Sequence, residues 1–504
     1  MSTHHSAGSH DSAPSAEPGT ARARTLTTGR VVFLVIAAAA PMAGLIGTVP
    51  LALIRGNGIA LPSAYLLAGI ALLCFCAAYS AMTRRVANQG AFYLLVARGL
   101  GKPPAAATAY AATLGYTALA IGLPASFGYF TSLVLASAGV GAPWWLCTAA
   151  AVVIGAVLGH RNVETSTRVL GVLMVLEFAV LIVLDVLVVQ DHGAAAFPMR
   201  SFSPDEIAGG SLGIGAMFAF AGFVGFESAA LYGEETKDPE RSIPRAAFTA
   251  VGAITVFYVV TSALLIGGAG GRRAPDMARR EVGDFVFALA ERYGGTVLYD
   301  ATAVLLCTSL LASYLALHNA ASRYVFALGR ESFLPRRLGR HHPRHLSPHV
   351  ASITVAVLTA VVISVLGLAG ADPYLMISAG LIGLGTLAII SVQAVTALAV
   401  LAFYWRRPDR HWFTGIVAPA LGASGLASGI VLVTVHYDTL TGADDIAVNL
   451  VPALLPVAAA AGVAVALRLR RTRPAVYASF AASRLRERTD AAVTRPEATA
   501  TRKS

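Results

Sequence analysis

Blocks of about 20 consecutive apolar residues recur along the whole chain, and this pattern is the strongest constraint on its fold. A helix needs about 20 apolar residues to cross roughly 30 Å of hydrocarbon. Only 13% of the residues are charged, against roughly 25% in a soluble protein, so the chain lacks the polar residues for a water-facing shell. We therefore predict an all-α polytopic membrane protein. Its twelve spans fall at about 30–54, 63–82, 104–136, 143–159, 165–189, 209–232, 246–269, 296–327, 350–369, 375–404, 412–435 and 449–468.

Polar tails flank the predicted membrane domain, which covers residues 28–470. Residues 1–27 are small, polar and without periodicity, which predicts a disordered cytoplasmic tail. No short apolar core with a cleavage site begins near Met1, so we predict no signal peptide. Residues 471–504 form a second, basic tail.

Most of the 38 Lys and Arg residues fall in the two tails and in alternate loops. The net charge of +11, taken alone, would also suit a nucleic-acid partner. The positive-inside rule therefore predicts that both termini are cytoplasmic. The loop 270–295 is an exception, and its segment 280–295 has the pattern of an amphipathic surface helix. No basic stripe interleaved with aromatic residues is present, so we expect no nucleic-acid partner.

The cysteines lie inside apolar blocks, as expected of small buried side chains. We therefore predict neither a disulfide nor a metal site, and no cofactor. The four positions are Cys74, Cys76, Cys147 and Cys307.

Gly and Pro interrupt two of the spans near their middles. Span one contains Pro41, followed by Gly44 and Gly47, and span six contains Gly222 and Gly225. Proline cannot donate a backbone hydrogen bond, and glycine is a poor helix former. Unwound backbone is tolerated in a membrane only where protein or a water-filled cavity supplies hydrogen-bond partners. These sites therefore predict two broken helices that face a shared cavity.

The first and sixth spans occupy corresponding places in two halves of five spans each. That arrangement is typical of inverted repeats with a binding site near the bilayer midplane. Helix ends carry partial charges, positive at N-termini and negative at C-termini, so the carboxylate and ammonium of a zwitterion suit such a site. The alternative is that Gly and Pro here only permit kinks or close helix packing.

Three segments resemble the amino acid–polyamine–organocation (APC) permeases: GFESAALYGEETKDPERSIPRA at 225–246, NQGAFYLLVARGLGK at 88–102, and the Arg-containing loop at 318–351. The resemblance extends over about residues 30–470. It implies a LeuT-like fold with broken helices one and six, in which inverted repeats at about 28–190 and 205–405 are followed by extra helices at about 410–470. It also implies secondary active transport of amino acids or related amines by alternating access.

Span one departs from the family pattern, which usually reads Gly-Ser-Gly-Ile where this chain has Met42-Ala43-Gly44-Leu45. Without the Ser hydroxyl, substrate contacts here would rely on backbone N–H groups. The family often carries an aromatic gate near the break in span six, for which Phe223 is the nearest candidate. The predicted substrate-binding residues are Ala43, Gly44, Leu45, Tyr116, Ala221, Gly222, Phe223 and Gly225.

Acidic residues at membrane depth are candidates for ion or proton coupling, because a charge there costs at least about 2.5–3.5 kcal/mol. Glu177 lies in the middle of span five, at about the place where proton-coupled members of the family carry a Lys. Glu227 follows the break in span six, and Ser313 of span eight matches a family position for Na⁺. Each has a structural alternative: a protonated, hydrogen-bonded Glu177, a Glu227 that accepts bonds from unwound backbone, and a Ser313 bonded to its own helix. Asp185, near the outer end of span five, is predicted to be interfacial.

We predict a bacterial plasma-membrane permease that imports amino acids or related amines, coupled to H⁺ or Na⁺. One alternative is the same fold carrying a polyamine, nucleobase or cation; a membrane sensor that binds a ligand without moving it is another. We predict no enzyme, because the sequence has no His-Glu-x-x-His, Ser/His/Asp or paired-Asp motif at membrane depth.

Overall fold

The computed structural model describes residues 26–83, 85, 92–161, 167–227, 236–342, 347–408, 411–437 and 450–481. Within these ranges the fold is entirely helical, apart from one isolated bridge between Leu26 and Thr236. Ten of the described helical stretches are long and apolar enough to cross a membrane, and the shorter apolar helices Trp144–His160 and Leu212–Phe223 fall at predicted spans four and six. The prediction of an all-α membrane fold is confirmed.

The helices follow the predicted spans closely. The first half contains α1 (Thr28–Ala39), α2 (Pro41–Arg55), α3 (Leu61–Thr83), α4 (Phe92–Gly99), α5 (Lys102–Ser137), α6 (Trp144–Arg161) and α7 (Thr167–His192). The second half contains α8 (Pro204–Gly209), α9 (Leu212–Phe223), α10 (Pro239–Gly268), α11 (Ala274–Glu281), α12 (Phe285–Arg330), α13 (His349–Leu368) and α14 (Ala379–Trp405). It is followed by α15 (Ala418–Val435), α16 (Leu454–Thr472) and the short α17 (Pro474–Ser479).

Span one is broken at a single residue, Ala40, which has φ 42° and ψ 67° and separates α1 from α2. Its N–H group donates to the carbonyls of Ile36 and Ala37 and so ends α1. Pro41 then starts α2, where its missing N–H costs nothing because first-turn N–H groups have no partner within the helix. The break is therefore shorter than the sequence indicates, since Gly44 and Gly47 both lie inside α2.

Span six is interrupted after Phe223, where α9 ends. Gly225 has φ 115°, a backbone conformation that residues other than glycine rarely adopt. A Cβ atom on Gly225 would lie 2.6 Å from the carbonyl oxygen of Ala38, so the backbone of the second break rests directly against the end of α1. Residues 228–235, which continue span six, lie outside the described residues.

Small residues allow the central spans to pack backbone to backbone. A Cβ atom on Gly385 of α14 would lie 2.5 Å from Leu119 Cγ of α5 and 3.0 Å from the Gly115 carbonyl oxygen. Close packing of this kind is the main source of helix association in lipid, where apolar burial gives little driving force. As a result α5 lies at the centre of the bundle, against α12, α14 and α16.

The loop 270–295 forms α11 and the first turns of α12, which bends at Gly295 (φ 66°) before it enters span eight. The side chains of Phe285, Val286 and Phe287 are fully buried. The amphipathic helix predicted over 280–295 starts at Phe285, its apolar side chains are packed into the protein, and Glu291 and Arg292 are exposed. The sequence pattern alone does not indicate what covers that apolar face.

Residues 474–481, here called the docked segment, fold back onto the end of the bundle. Phe480 is fully buried and stacks on Phe333 and Tyr93, with ring centroids 4.0 and 5.7 Å away. Lys102 donates hydrogen bonds of 2.8 and 2.6 Å to the carbonyls of Tyr477 and Ala478. Part of the predicted basic tail therefore packs against α4, α5 and the end of α12.

Candidate functional site

A cavity of about 90 Å³ lies at the centre of the bundle, between the two broken helices. It is large enough for several water molecules, since each needs about 10–15 Å³ of such space. Five spans supply its wall, namely spans one, three, six, eight and ten. The contacts nearest the breaks come from Ala39, Ala40, Ala43, Gly44, Ala221 and Val224.

The wall of this cavity is mostly apolar, and none of the described residues that line it has a charged side chain. Leu119, Leu123, Met217, Leu317 and Ile382 supply most of its bulk. The polar groups are hydroxyls, which belong to Thr48, Ser126, Ser313, Tyr374 and Ser378. A solute here therefore meets apolar surface on most sides and a few neutral hydrogen-bonding groups.

The helix ends at the two breaks supply the charge that the side chains lack. The first turn of α2 leaves the N–H groups of Met42 and Ala43 without acceptors inside the helix. The C-terminal end of α9 lies across from it, and there Tyr258 Oη donates to the Gly222 carbonyl at 2.7 Å. Because an α-helix N-terminus attracts anions and a C-terminus attracts cations, the pair suits a solute that carries both.

Span ten contributes to this cavity through residues that the sequence analysis missed. Tyr374 Oη donates to the Gly47 carbonyl at 3.0 Å and ties span ten to α2. The hydroxyls of Ser126 and Ser378 contact each other across spans three and ten. The only sequence signal for span ten is its own run of breakers, Pro373 followed by the glycines of 380–385.

Three of the eight predicted substrate-binding residues line the cavity: Ala43, Gly44 and Ala221. Leu45 is fully buried on another face of α2, one residue away from the cavity side of the helix. Gly222 packs against Tyr258, and Gly225 packs against the end of α1. The other two, Tyr116 and Phe223, are buried outside the lining.

Glu227 is hydrogen-bonded at the break in span six and does not line the cavity. One carboxylate oxygen accepts a hydrogen bond of 3.0 Å from the Gly225 N–H, and the other accepts one of 3.1 Å from Tyr116 Oη. The side chain is 4% exposed. This geometry matches the structural alternative, in which Glu227 satisfies unwound backbone, and it brings Tyr116 and Glu227 together.

Glu177 lies between spans five and eight, where its Oε2 accepts a hydrogen bond of 2.8 Å from Ser309. Ser313, one helical turn along α12, lines the cavity, as do Ala39 and Ala40 of span one. Span eight thus connects the buried acid to the cavity. Thr308, by contrast, donates to the carbonyl of Leu305 in its own helix.

Asp185 is buried, and the prediction of an interfacial side chain is wrong. It is 7% exposed and its Oδ2 accepts a hydrogen bond of 2.7 Å from Thr261 of α10. The sequence places it near the outer end of span five, but α10 covers that face of the helix. Which face is covered depends on helix rotation, which the sequence pattern does not give.

The chain was compared with known families and proteins. A model of an amino acid permease family matches residues 25–456. The low-affinity putrescine importer PlaP of Escherichia coli K12 is 26% identical over 360 residues, which cover 69% of this chain and 75% of that protein. The branched-chain amino acid permease BcaP of Bacillus subtilis is 25% identical over 256 residues, half of each chain.

Solved structures with the same fold were found as well. The structure of MhsT in complex with L-phenylalanine has a TM-score of 0.53 and 15% identity, and the match covers 81% of this chain and all of that chain. A manganese transporter of Eremococcus coleocola has a TM-score of 0.52 and 12% identity, with 88% and 96% covered. At these identities the likeness establishes the LeuT-like fold only.

Proposed function

Because the chain belongs to the amino acid permease family, we propose that it is a secondary transporter of neutral amino acids with apolar side chains. It acts by alternating access in a bacterial plasma membrane, and import is the expected direction. One observation carries the proposal: the cavity between the two helix breaks has oppositely charged helix ends at its rim, and no charged side chain stands among the described residues of its wall.

The zwitterionic part of an amino acid fits the helix ends. Its carboxylate would accept hydrogen bonds from the first turn of α2, and its ammonium would face carbonyls at the end of α9. The rest of the solute then meets Leu119, Leu123, Met217 and Ile382, which favour an aliphatic or aromatic side chain. The departure at Ala43 supports this reading, because the first turn of α2 then offers the solute backbone N–H groups and no side-chain hydroxyl.

A diamine is the second candidate, since PlaP is named as a putrescine importer. Such a substrate carries two positive charges and no carboxylate. Burying a charge without a partner is costly, and no acidic side chain that could pair with it is found among the lining residues that the structure describes. Glu227, the nearest candidate acid, already accepts hydrogen bonds from Gly225 and Tyr116. The geometry therefore favours the amino acid.

Uptake by proteoliposomes tests the substrate. We expect labelled leucine, isoleucine, valine or phenylalanine to accumulate, and arginine, glutamate and putrescine to compete weakly. Uptake should be measured with an inward pH gradient, with an inward Na⁺ gradient and with neither. Preferential accumulation of putrescine would reject the amino acid proposal in favour of the diamine.

Glu177 is the proposed coupling residue, on the strength of its burial between spans five and eight and its contact with Ser309. We expect Glu177→Gln to abolish accumulation against a gradient, because the amide neither releases a proton nor attracts Na⁺. Exchange of internal for external substrate, which needs no net coupling, should survive. The control is Asp300→Asn, an equally small change at an exposed acid of α12. Accumulation at the parental level in Glu177→Gln would show that coupling lies elsewhere.

A further inference from the structure

A second cavity lies at the end of the bundle that carries the docked segment, far from the helix breaks. Its volume is about 490 Å³, and it is formed by residues 332–336, which follow α12, together with the last turns of α16. The proposed transport site does not involve this cavity, and the half of its lining that α16 and Arg473 supply lies beyond residue 456, where the family match ends. Its lining combines two chemistries, three guanidinium groups and an apolar floor.

The cationic part consists of Arg336, Arg468 and Arg473, all exposed on their outer sides. Arg336 Nε donates to Ser332 Oγ at 3.1 Å, which leaves its terminal nitrogens for another acceptor. None of the three forms an ion pair with a carboxylate in the part of the chain that the structure describes. Three guanidinium groups around one cavity suit a phosphate, which accepts paired hydrogen bonds from arginine.

The apolar part consists of Phe333 and Leu334 on one side and Val465 and Leu469 on the other. Inorganic phosphate has no apolar part that could pack on this surface, whereas a phospholipid has acyl chains that could. The neighbouring α16 is the least covered span, with 17% of its apolar window buried, so it is a helix that faces lipid. Basic pockets beside spans at the membrane surface are suited to the head groups of acidic lipids.

We propose that this cavity binds the head group of an anionic phospholipid. The phosphate lies among Arg336, Arg468 and Arg473, with the hydroxyls of Ser332 and Thr472 at its edge. The acyl chains run along α16 into the bilayer. Phe333 is shared between this cavity and the docked segment, because its ring also stacks on Phe480. The bound lipid therefore lies against the same ring that holds the docked segment in place.

The test is a titration of the purified full-length protein, in neutral detergent, with phosphatidylglycerol, followed by native mass spectrometry. We expect saturable binding of phosphatidylglycerol and weaker binding of phosphatidylcholine. The triple variant Arg336→Gln, Arg468→Gln, Arg473→Gln should bind phosphatidylglycerol at least about tenfold more weakly, since it removes three cations near the membrane surface. Size-exclusion chromatography checks that the variant is folded.

The matched control replaces three exposed arginines at the same end that do not line the cavity, Arg337→Gln, Arg340→Gln and Arg471→Gln. An equal loss of affinity in this control would overturn the proposal in favour of diffuse surface charge. Inorganic phosphate that displaces the lipid at equal concentration would overturn it in favour of a soluble anion. A gain of lipid binding on removal of residues 482–504, which contain Glu487, Asp490 and Glu497, would overturn it in favour of the chain's own tail as the occupant.

Discussion

Gly44 and Gly222 let spans one and six approach each other at the centre of the bundle. A Cβ atom on Gly44 would overlap Tyr258 Oη and would lie 3.2 Å from Gly222 Cα. That hydroxyl donates to the Gly222 carbonyl, so one tyrosine of α10 holds the end of α9 in place. The close approach of the two spans therefore requires that Gly44 and Gly222 have no side chains.

Gly44→Ala should therefore lower the stability of the protein and impair transport. Overpacking of this kind costs about 1–3 kcal/mol, and here it also displaces the Tyr258 hydroxyl from its acceptor. Thermal unfolding of the detergent-purified protein measures the change. The control is Gly252→Ala in α10, where an added Cβ meets nothing within 4 Å and should leave stability equal or slightly raised. Equal melting temperatures for the two variants would contradict the packing argument.

Among the elements, the docked segment lies against a carboxyl group that follows α12, and the backbone of Ala481 is hydrogen-bonded to that group. Glu331, at the end of α12, accepts a hydrogen bond of 3.2 Å from Tyr93 Oη and lies near the stack of Phe333 and Phe480. Burial raises the pKa of Glu331 to about 7, against the opposing effects of the Tyr93 hydrogen bond and Arg330. The docked segment therefore packs beside a carboxyl group whose pKa is about 7.

The folded state holds the proton of Glu331 more tightly than the unfolded state, whose carboxyl has a pKa of about 4.5. Its contribution to stability is thus most favourable below that value and is lost as the pH rises from about 4.5 to about 7. We expect Glu331→Gln to flatten this part of the profile of melting temperature against pH. Glu291→Gln, a change at an exposed acid of α12, serves as the control and should keep the parental profile. An unchanged profile in Glu331→Gln would exclude this group as the source.

For the whole molecule, the charge distribution predicts that the end with the docked segment faces the cytoplasm. In a cysteine-free background, we expect Val140→Cys, in the exposed turn between α5 and α6, to react with an impermeant maleimide in intact cells. Arg337→Cys, in the loop after α12, should react only after permeabilisation. The opposite labelling pattern would show that the topology is inverted, and the expected direction of transport would then be reversed as well.

The spans were predictable because hydrophobic length is a local property of the sequence, and so was the existence of two breaks. Their details were less so. Pro41 can end one helix or begin the next, and only the conformation of Ala40 shows that it begins α2. Tyr374 and Ser126 face the cavity because of how spans three and ten are rotated, and the burial of Asp185 depends on the position of α10. Rotation and neighbours are set by long-range packing, which one sequence does not reveal.

The conformation of Ala40 has a consequence for how the protein can be studied. In the proposed mode of binding, peptide groups in the first turn of α2, rather than side chains, contact the solute, and peptide groups are the same in every replacement. Alanine scanning of this turn would thus leave those peptide groups untouched and report only changes in shape. Ester substitution of the main chain, which removes one amide proton at a time, is the chemistry that would reveal them.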